Sequence, residues 1–146
     1  MDKKEPIIEF ENIQQAQECL KYWQNILFLN DWHIKINLIP SDDCVVDDLP
    51  CAGRIDKMHV QKIAVIDIAL LDDDIPDDDI VKSFKICQEK VLVHEILHIV
   101  IDLGGVCNHT VEGSEFLTTN HQRVESIAKS LIMAKYGVDF DWFKNF

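Results

Sequence analysis

The chain has 146 residues, 47% of them hydrophobic and 27% charged, which suits a single globular domain over residues 1–146. Its formal net charge of −12 argues against nucleic acid and anionic membranes as partners, because both attract a concentrated positive surface. No apolar run approaches the roughly 18–20 residues of a membrane span, and no signal peptide follows Met1.

The cysteines are odd in number, and no two of them show Cys-x-x-Cys spacing. A disulfide framework is therefore not expected, and a reducing cytoplasm is the location that this composition favours. The five are Cys19, Cys44, Cys51, Cys87 and Cys107.

The first half of the chain predicts one helix followed by strands. Asn12 with Gln15 resembles a capping box, and apolar residues then recur at steps of three and four, so we expect a helix from about 12 to 29. Alternating and β-branched patterns predict the next elements. These are strands over 32–38, 52–58 and 62–71, with an acidic turn over 41–50.

The second half predicts two helices separated by a loop. An acidic loop over 72–79 leads into a helix from about 77 to 103, ended by Gly104-Gly105. Its part from Val91 to Leu103 is apolar on nearly all sides, which places this helix in the middle of the fold. The remaining predictions are a loop from Val106 to Leu117, a helix from Thr119 to Tyr136 closed by Gly137, and an aromatic tail over 142–146 that packs back on the domain.

His94 and His98 lie four residues apart on the predicted central helix. This spacing leaves them about 40° apart around the axis and about 6 Å apart along it, so both imidazoles can bind one zinc ion. Glu95 would lie beside the metal, where it suits a general base acting on metal-activated water. Burial of three unpaired titratable groups would cost several kcal/mol, and a metal would satisfy them. The alternative is two core histidines bonded to backbone carbonyls, with Glu95 at the surface.

A catalytic zinc site needs a third protein ligand. Glu125 is the preferred candidate, because it lies at the edge of the apolar stripe of the last helix. His121 shares that face and is a rival ligand, or a catalytic group that steadies the developing oxyanion. His109 is a further rival for either role, and Glu112 is a further rival ligand.

Two other polar residues bear on the site. Asp102 follows His98 by four residues and could accept a hydrogen bond from that ligand, or it could simply end the helix. Tyr136 is a weaker candidate for a catalytic group.

The segment Val91–Asp102, VLVHEILHIVID, resembles the active-site helix of the gluzincin metallopeptidases. Over about residues 52–136, the order of elements is most similar to the small single-domain minigluzincins. The resemblance implies a compact zincin-like α+β domain with an N-terminal helix, a small twisted and mostly antiparallel sheet of about three strands, a central active-site helix and a C-terminal ligand helix. It also implies zinc bound by His94, His98 and Glu125, with Glu95 as general base and acid.

The chain departs from the gluzincin pattern at Lys129, where larger members often have an aspartate four positions after the ligand glutamate. A metzincin is excluded, since its glycine and third histidine would fall at Ile101 and Gly104. In such folds an edge strand lies over the zinc and pairs with extended substrate, and by resemblance this strand is 62–71.

The predicted function is zinc-dependent hydrolysis of a peptide or protein substrate in the cytoplasm; no oligomeric state is predicted. One alternative is a latent enzyme in which the Cys51 thiolate occupies the open position on zinc. A second is a non-catalytic zinc-binding regulatory or interaction module. A third is a metallopeptidase of the phage-repressor-cleaving or SprT-like class, which a third ligand other than Glu125 would indicate.

Overall fold

The computed structural model describes residues 4–71, 86–102 and 114–145, and only the backbone of 114–119 and 145. This part of the chain is an α+β fold with three α-helices, a three-stranded sheet and a two-stranded hairpin. None of its helices combines the length and the apolar composition that a membrane span requires. The elements are α1 (Ile13–Ile26), β1 (His33–Ile39), β2 (Val45–Val46), β3 (Leu49–Pro50), β4 (Gly53–Met58), β5 (Ile63–Ala69), α2 (Gln88–Ile101) and α3 (Ser114–Tyr136), with short 3₁₀ helices at Ser41–Asp43 and Phe140–Asn145.

The larger sheet has the strand order β1-β5-β4 and is mixed. β5 pairs in parallel with β1 and antiparallel with β4. The expectation of a mostly antiparallel sheet was therefore wrong for one of the two strand pairs. The cause is that the chain crosses over after β1 and lays β4 on the far side of β5, so that β1 and β5 become neighbours running in the same direction.

β5 is the central strand of this sheet, with neighbours on both sides. Its residues Ala64, Ile66, Ile68 and Ala69 are buried. The sequence assignment of 62–71 as the substrate-pairing edge strand was therefore wrong, because a strand that is paired on both sides has no free backbone groups for a third partner. The edge strand next to the predicted site is β4.

The acidic segment 41–50, predicted as a turn, contains the β2–β3 hairpin. Its two tip residues, Asp47 and Asp48, have φ values of 52° and 63°. Positive φ at both central residues is the requirement of a type I′ hairpin turn, and aspartate tolerates that conformation better than most residues. Arg54 on β4 fixes the hairpin by donating from Nη1 to the carbonyl oxygen of Val45, at 3.0 Å.

α1 begins where the sequence predicts, with the Asn12 side chain accepting a hydrogen bond from the backbone N–H of Gln15 at 2.8 Å. It ends at Ile26, earlier than the predicted 29. Phe28 has φ 59°, which takes the chain out of the helix in the way a glycine usually does. Because Phe28 is not a glycine, the sequence carried no signal for the end of α1.

α2 begins at Gln88, after extended residues 86 and 87, so the predicted start near 77 was wrong. The first N–H groups of the helix are satisfied elsewhere. Gln88 and Glu89 donate their backbone N–H groups to the carbonyls of Ile8 and Ile7, at 2.9 and 3.0 Å. The N-terminal segment thus supplies acceptors that a preceding helical turn would otherwise provide.

α2 packs against the sheet and both other helices, as its apolar sequence predicts. Leu92 and Ile96 are fully buried, and each such side chain contributes about 1.5–3 kcal/mol of hydrophobic stabilisation. The two glycines predicted to end this helix lie outside the described residues, as does the acidic loop over 72–79.

α3 begins at Ser114, before the predicted Thr119, so the last part of the predicted loop 106–117 is helical instead. Its end agrees with the sequence. Gly137 has φ 69° and donates its N–H to the carbonyl of Met133 at 2.7 Å, which closes the helix after Tyr136. The tail packs back through Phe143, which is buried.

Candidate metal centre

His94 and His98 point the same ring nitrogen at each other. Their Nε2 atoms are 3.3 Å apart, as expected for two histidines one turn apart on α2. A tetrahedral zinc ion with Zn–N bonds of about 2.0–2.1 Å holds its ligand nitrogens about 3.3–3.4 Å apart. The two rings therefore have the separation that one shared ion requires.

The other nitrogen of each ring is bonded to a carboxylate. Nδ1 of His94 lies 2.7 Å from Oε2 of Glu125, and Nδ1 of His98 lies 3.0 Å from Oδ2 of Asp102. An ionised carboxylate can only accept, so both Nδ1 atoms carry the hydrogen. Nε2 is then the nitrogen of each ring that can carry the unshared electron pair, and it faces the other ring, which is the tautomer that a metal ligand needs.

The neutral state of His98 is favoured by its surroundings. Burial lowers the pKa of His98 to about 4, although the adjacent Asp102 acts to raise it. Two unshared pairs that face each other at 3.3 Å repel unless a proton or a metal cation lies between them. A third imidazole lies at the same place.

That third imidazole belongs to His121 on α3. The ligand nitrogens of His94, His98 and His121 all lie within 4.8 Å of one another. The ring of His121 stacks on that of His94 with centroids 5.7 Å apart, and meets that of His98 edge-on at 4.9 Å. His121 is exposed, whereas His98 is buried, so the group opens to solvent on the α3 side.

The preferred third ligand from the sequence, Glu125, is not part of this group of three. Its carboxylate lies on the Nδ1 side of His94, away from the shared Nε2 position, and also accepts a hydrogen bond from Lys90 at 2.6 Å. Burial raises the pKa of Glu125, but the hydrogen bonds from His94 and Lys90 outweigh it and bring the pKa down to about 2. Glu125 is thus placed to orient His94.

Asp102 supports His98 in the same way, in the position that the sequence indicated. It also accepts from Lys57 on β4 at 2.5 Å and from Asn120 on α3 at 2.8 Å, which joins three elements at one carboxylate. The sequence analysis missed Lys57. Its position could have indicated this role. Lys57 lies two residues after Ile55 and four after Gly53, so all three share one face of the strand.

Glu95 lies beside the histidines and is 8% exposed. Burial raises the pKa of Glu95 to about 7, and nearby His94 and Lys57 limit the rise. β4 approaches closely here, because a Cβ atom placed on Gly53 would lie 3.3 Å from Cγ of Glu95. A carboxyl group with a pKa near neutrality suits a group that both takes up and releases a proton.

A cavity of about 600 Å³ opens beside these residues, in the size range of small-molecule and peptide sites. Glu95, His98 and His121 line this cavity. Residues of the β2–β3 hairpin and residues 53–56 of β4 line it as well. The three side chains with metal or proton chemistry are therefore reachable from solvent along an edge strand.

The structure also describes two other residues considered from the sequence, Cys51 and Tyr136. Sγ of Cys51 is 3.2 Å from Sγ of Cys44, so its nearest described partner is that thiol. The hydroxyl of Tyr136 donates to Glu89 at 2.5 Å, at the opposite end of α2. His109 and Glu112 lie outside the described residues.

Comparison with protein-family models, with curated proteins and with solved structures yields no match to this chain.

Proposed function

We propose that the chain is a zinc-dependent metallopeptidase whose metal is bound by His94, His98 and His121. The observation that carries the proposal is the pair of Nε2 atoms 3.3 Å apart, each on a ring whose Nδ1 is bonded to a carboxylate. Three neutral imidazoles with one open position are a ligand set of catalytic zinc sites. The bound ion supplies Lewis acidity toward a carbonyl oxygen and a water of lowered pKa.

The chain's own residues supply the proton transfers. Glu95 lines the cavity beside His98 and His121, so it can accept a proton from the attacking water and deliver it to the leaving amine. Glu125 and Asp102 keep the ligand rings in one tautomer and one orientation throughout.

An extended peptide is the substrate class that best fits the walls of the cavity. β4 is at the edge of the sheet, and its residues 53–56 line the same cavity as the three functional side chains. A peptide can add to such an edge through main-chain hydrogen bonds. The role that the resemblance assigned to 62–71 thus passes to 53–58.

A zincin-like arrangement is part of this proposal, and the α+β order of α1, the sheet, α2 and α3 supports it. A third histidine differs from the gluzincin pattern, in which that ligand is a glutamate. It agrees instead with the alternative of a phage-repressor-cleaving or SprT-like peptidase, for which a ligand other than Glu125 was the indication. We therefore place the chain among HExxH peptidases and propose His121 rather than Glu125 as its third ligand.

Metal analysis of the wild type and three variants tests the ligand set. After dialysis against a weak chelator, the wild type should retain one zinc ion per chain, and His121→Ala should lose most of it. Glu125→Ala should retain zinc with reduced affinity. His33→Ala is the matched control, since His33 is exposed on β1 at the opposite edge of the sheet, and it should behave as wild type. Loss of zinc in Glu125→Ala together with retention in His121→Ala would reverse the assignment.

Hydrolysis of a broad peptide library tests the catalytic role. Glu95→Gln should keep its zinc and lose hydrolysis, because the amide has the shape of the carboxylate but cannot take up the proton. Zinc binding without turnover in the wild type would indicate the non-catalytic binding module instead.

A further inference from the structure

Cys44 and Cys51 face each other across the base of the β2–β3 hairpin. The backbone N–H of Cys51 donates to the carbonyl of Cys44 at 2.9 Å, and the two sulfur atoms are 3.2 Å apart. The pairing of Val45 with Pro50 places Cys44 opposite Cys51, and opposite residues of antiparallel strands have Cα atoms about 4.5–5.5 Å apart, which lies within the range that disulfides span. A small movement of the two residues would therefore bring the sulfurs to bonding distance.

The two thiols differ in access. Cys44 is fully buried, and burial raises the pKa of its thiol to about 12. Cys51 is half-buried and lines the cavity next to Glu95, His98 and His121. A solvent-borne oxidant can thus reach Cys51 first, and Cys44 is in place to react second.

Two other cysteines of the described part contrast with this pair. Cys19 and Cys87 are buried, and burial raises the pKa of each thiol, that of Cys87 to about 11. Neither lines the cavity beside the candidate site. They provide internal controls for cysteines that should not react in the folded protein.

We propose that Cys44 and Cys51 form an oxidisable dithiol that closes a disulfide across the hairpin and regulates the adjacent site. The oxidant is a low-molecular-weight disulfide of the glutathione type. The Cys51 thiolate attacks one of its sulfurs, forms a mixed disulfide and releases one thiol. The sulfur of Cys44 then displaces the second thiol as its proton leaves, so that the protein loses two hydrogens and the oxidant becomes two thiols.

The regulatory half of this inference rests on the proposed function. Formation of the bond draws the two sulfurs from 3.2 Å to about 2.05 Å and shifts the chain at Cys51. Gly53 follows two residues later and is packed against Val91 and Glu95 without room for a methyl group. Oxidation should therefore displace β4 against Glu95 and lower the rate of hydrolysis, whereas the reducing cytoplasm proposed for this protein would keep the site open.

The dithiol itself is tested without an activity assay. Trypsin releases residues 36–54 as one peptide that contains both cysteines, because Lys35 and Arg54 are the flanking cleavage sites. Folded protein is equilibrated in glutathione buffers of rising oxidised fraction and then alkylated. The 36–54 peptide should lose about 2 Da and resist alkylation, and dithiothreitol should reverse this. A peptide that is alkylated at both cysteines in every buffer would overturn the proposal.

Two variants test the order of attack. Cys44→Ala should accumulate the mixed disulfide with glutathione at Cys51, because the resolving thiol is missing. Cys51→Ala should remain unmodified at Cys44, which is buried. Equal glutathionylation of both variants would contradict the assigned roles.

The regulatory half is tested on the wild type by plotting the hydrolysis rate against the oxidised fraction of the peptide. The rate should fall several-fold as the disulfide forms and recover with dithiothreitol. A hydrolysis rate that stays unchanged after complete oxidation would overturn the regulation and leave the proposed function standing. Absence of hydrolysis in reduced, zinc-loaded protein would instead overturn the proposed function and the regulation with it, while the peptide mass still decides the disulfide.

Discussion

Lys57 on β4 and Asp102 at the end of α2 form an ion pair with Nζ and Oδ2 2.5 Å apart, and both side chains are only 6% exposed. Asp102 also holds Nδ1 of His98. The edge strand proposed to bind substrate is therefore tied through a single carboxylate to a proposed metal ligand.

We expect Lys57→Met to destabilise the fold strongly. The change would leave the Asp102 carboxylate buried without its cation, and removal of one partner from a buried pair typically costs about 3–5 kcal/mol. Urea unfolding of the metal-free protein measures this as a fall in the midpoint. Lys62→Met is the matched control, since the Lys62–Asp31 pair is exposed to screening by solvent and its loss should change the midpoint far less. Equal effects of the two variants would show that the buried pair does not stabilise the fold.

Gly53→Ala should destabilise the contact between β4 and α2. The added methyl group would lie 2.5 Å from Cγ1 of Val91, and overpacking of this kind typically costs about 1–3 kcal/mol. Val91→Ala removes the obstructing atom, so the double variant should be more stable than the sum of the two single effects predicts. Strict additivity in thermal or urea unfolding would argue against this contact.

Stability in acid should depend on Glu89. This fully buried carboxylate accepts hydrogen bonds from Trp23 at 3.0 Å, Lys135 at 2.7 Å and Tyr136 at 2.5 Å. Burial raises the pKa of Glu89, but the hydrogen bonds from the backbone of Ile7, from Lys135 and from Tyr136 outweigh it and leave the pKa below the ordinary 4.5.

A lowered pKa in the folded state means that the carboxylate stabilises the fold above its ordinary pKa and loses this effect as the pH falls further. Glu89→Gln should therefore lower the free energy of unfolding at pH 7 by roughly 3–5 kcal/mol and flatten its decline from pH 5 to pH 3. Urea unfolding across that range measures both effects. Glu9→Gln, at an exposed glutamate, should leave the pH profile unchanged; an unchanged profile in Glu89→Gln would refute the assignment.

The variant Glu125→Gln tests whether Glu125 orients His94 or binds zinc directly. The amide oxygen can still accept the hydrogen bond from Nδ1 of His94, so the zinc affinity should fall by no more than about 10–100-fold, with one ion still bound per chain. Competition with a zinc-binding dye measures the change. A loss as large as that caused by His98→Ala would support direct ligation by Glu125, as the gluzincin resemblance implies.

Local sequence patterns predicted those features of the fold that are set by residues close in the sequence. Asn12 and Gln15 located the start of α1, and Gly137 located the end of α3. The start of α2 could not be found in this way, because its N–H groups bond to residues more than seventy positions away in the sequence. The order of strands in the sheet likewise depends on long-range pairing, which places β4 rather than β5 at the edge.

In the candidate site, too, some features follow from local spacing and others depend on the packing of distant elements. The spacing of His94 and His98 fixes their approach on one helix, and Asp102 follows from the same periodicity. The choice between His121 and Glu125 depends on the rotation of α3 against α2, which four-residue spacing leaves open because both residues share one face. Packing turns His121 toward the shared Nε2 position and leaves Glu125 behind His94.

The most direct test of the central claim is calorimetric titration of zinc into the metal-free protein. We predict one ion per chain, tight binding in the wild type and in His33→Ala, and loss of tight binding in His94→Ala and in His98→Ala. Failure of the folded wild type to take up zinc, or binding that survives in both ligand variants, would contradict the account.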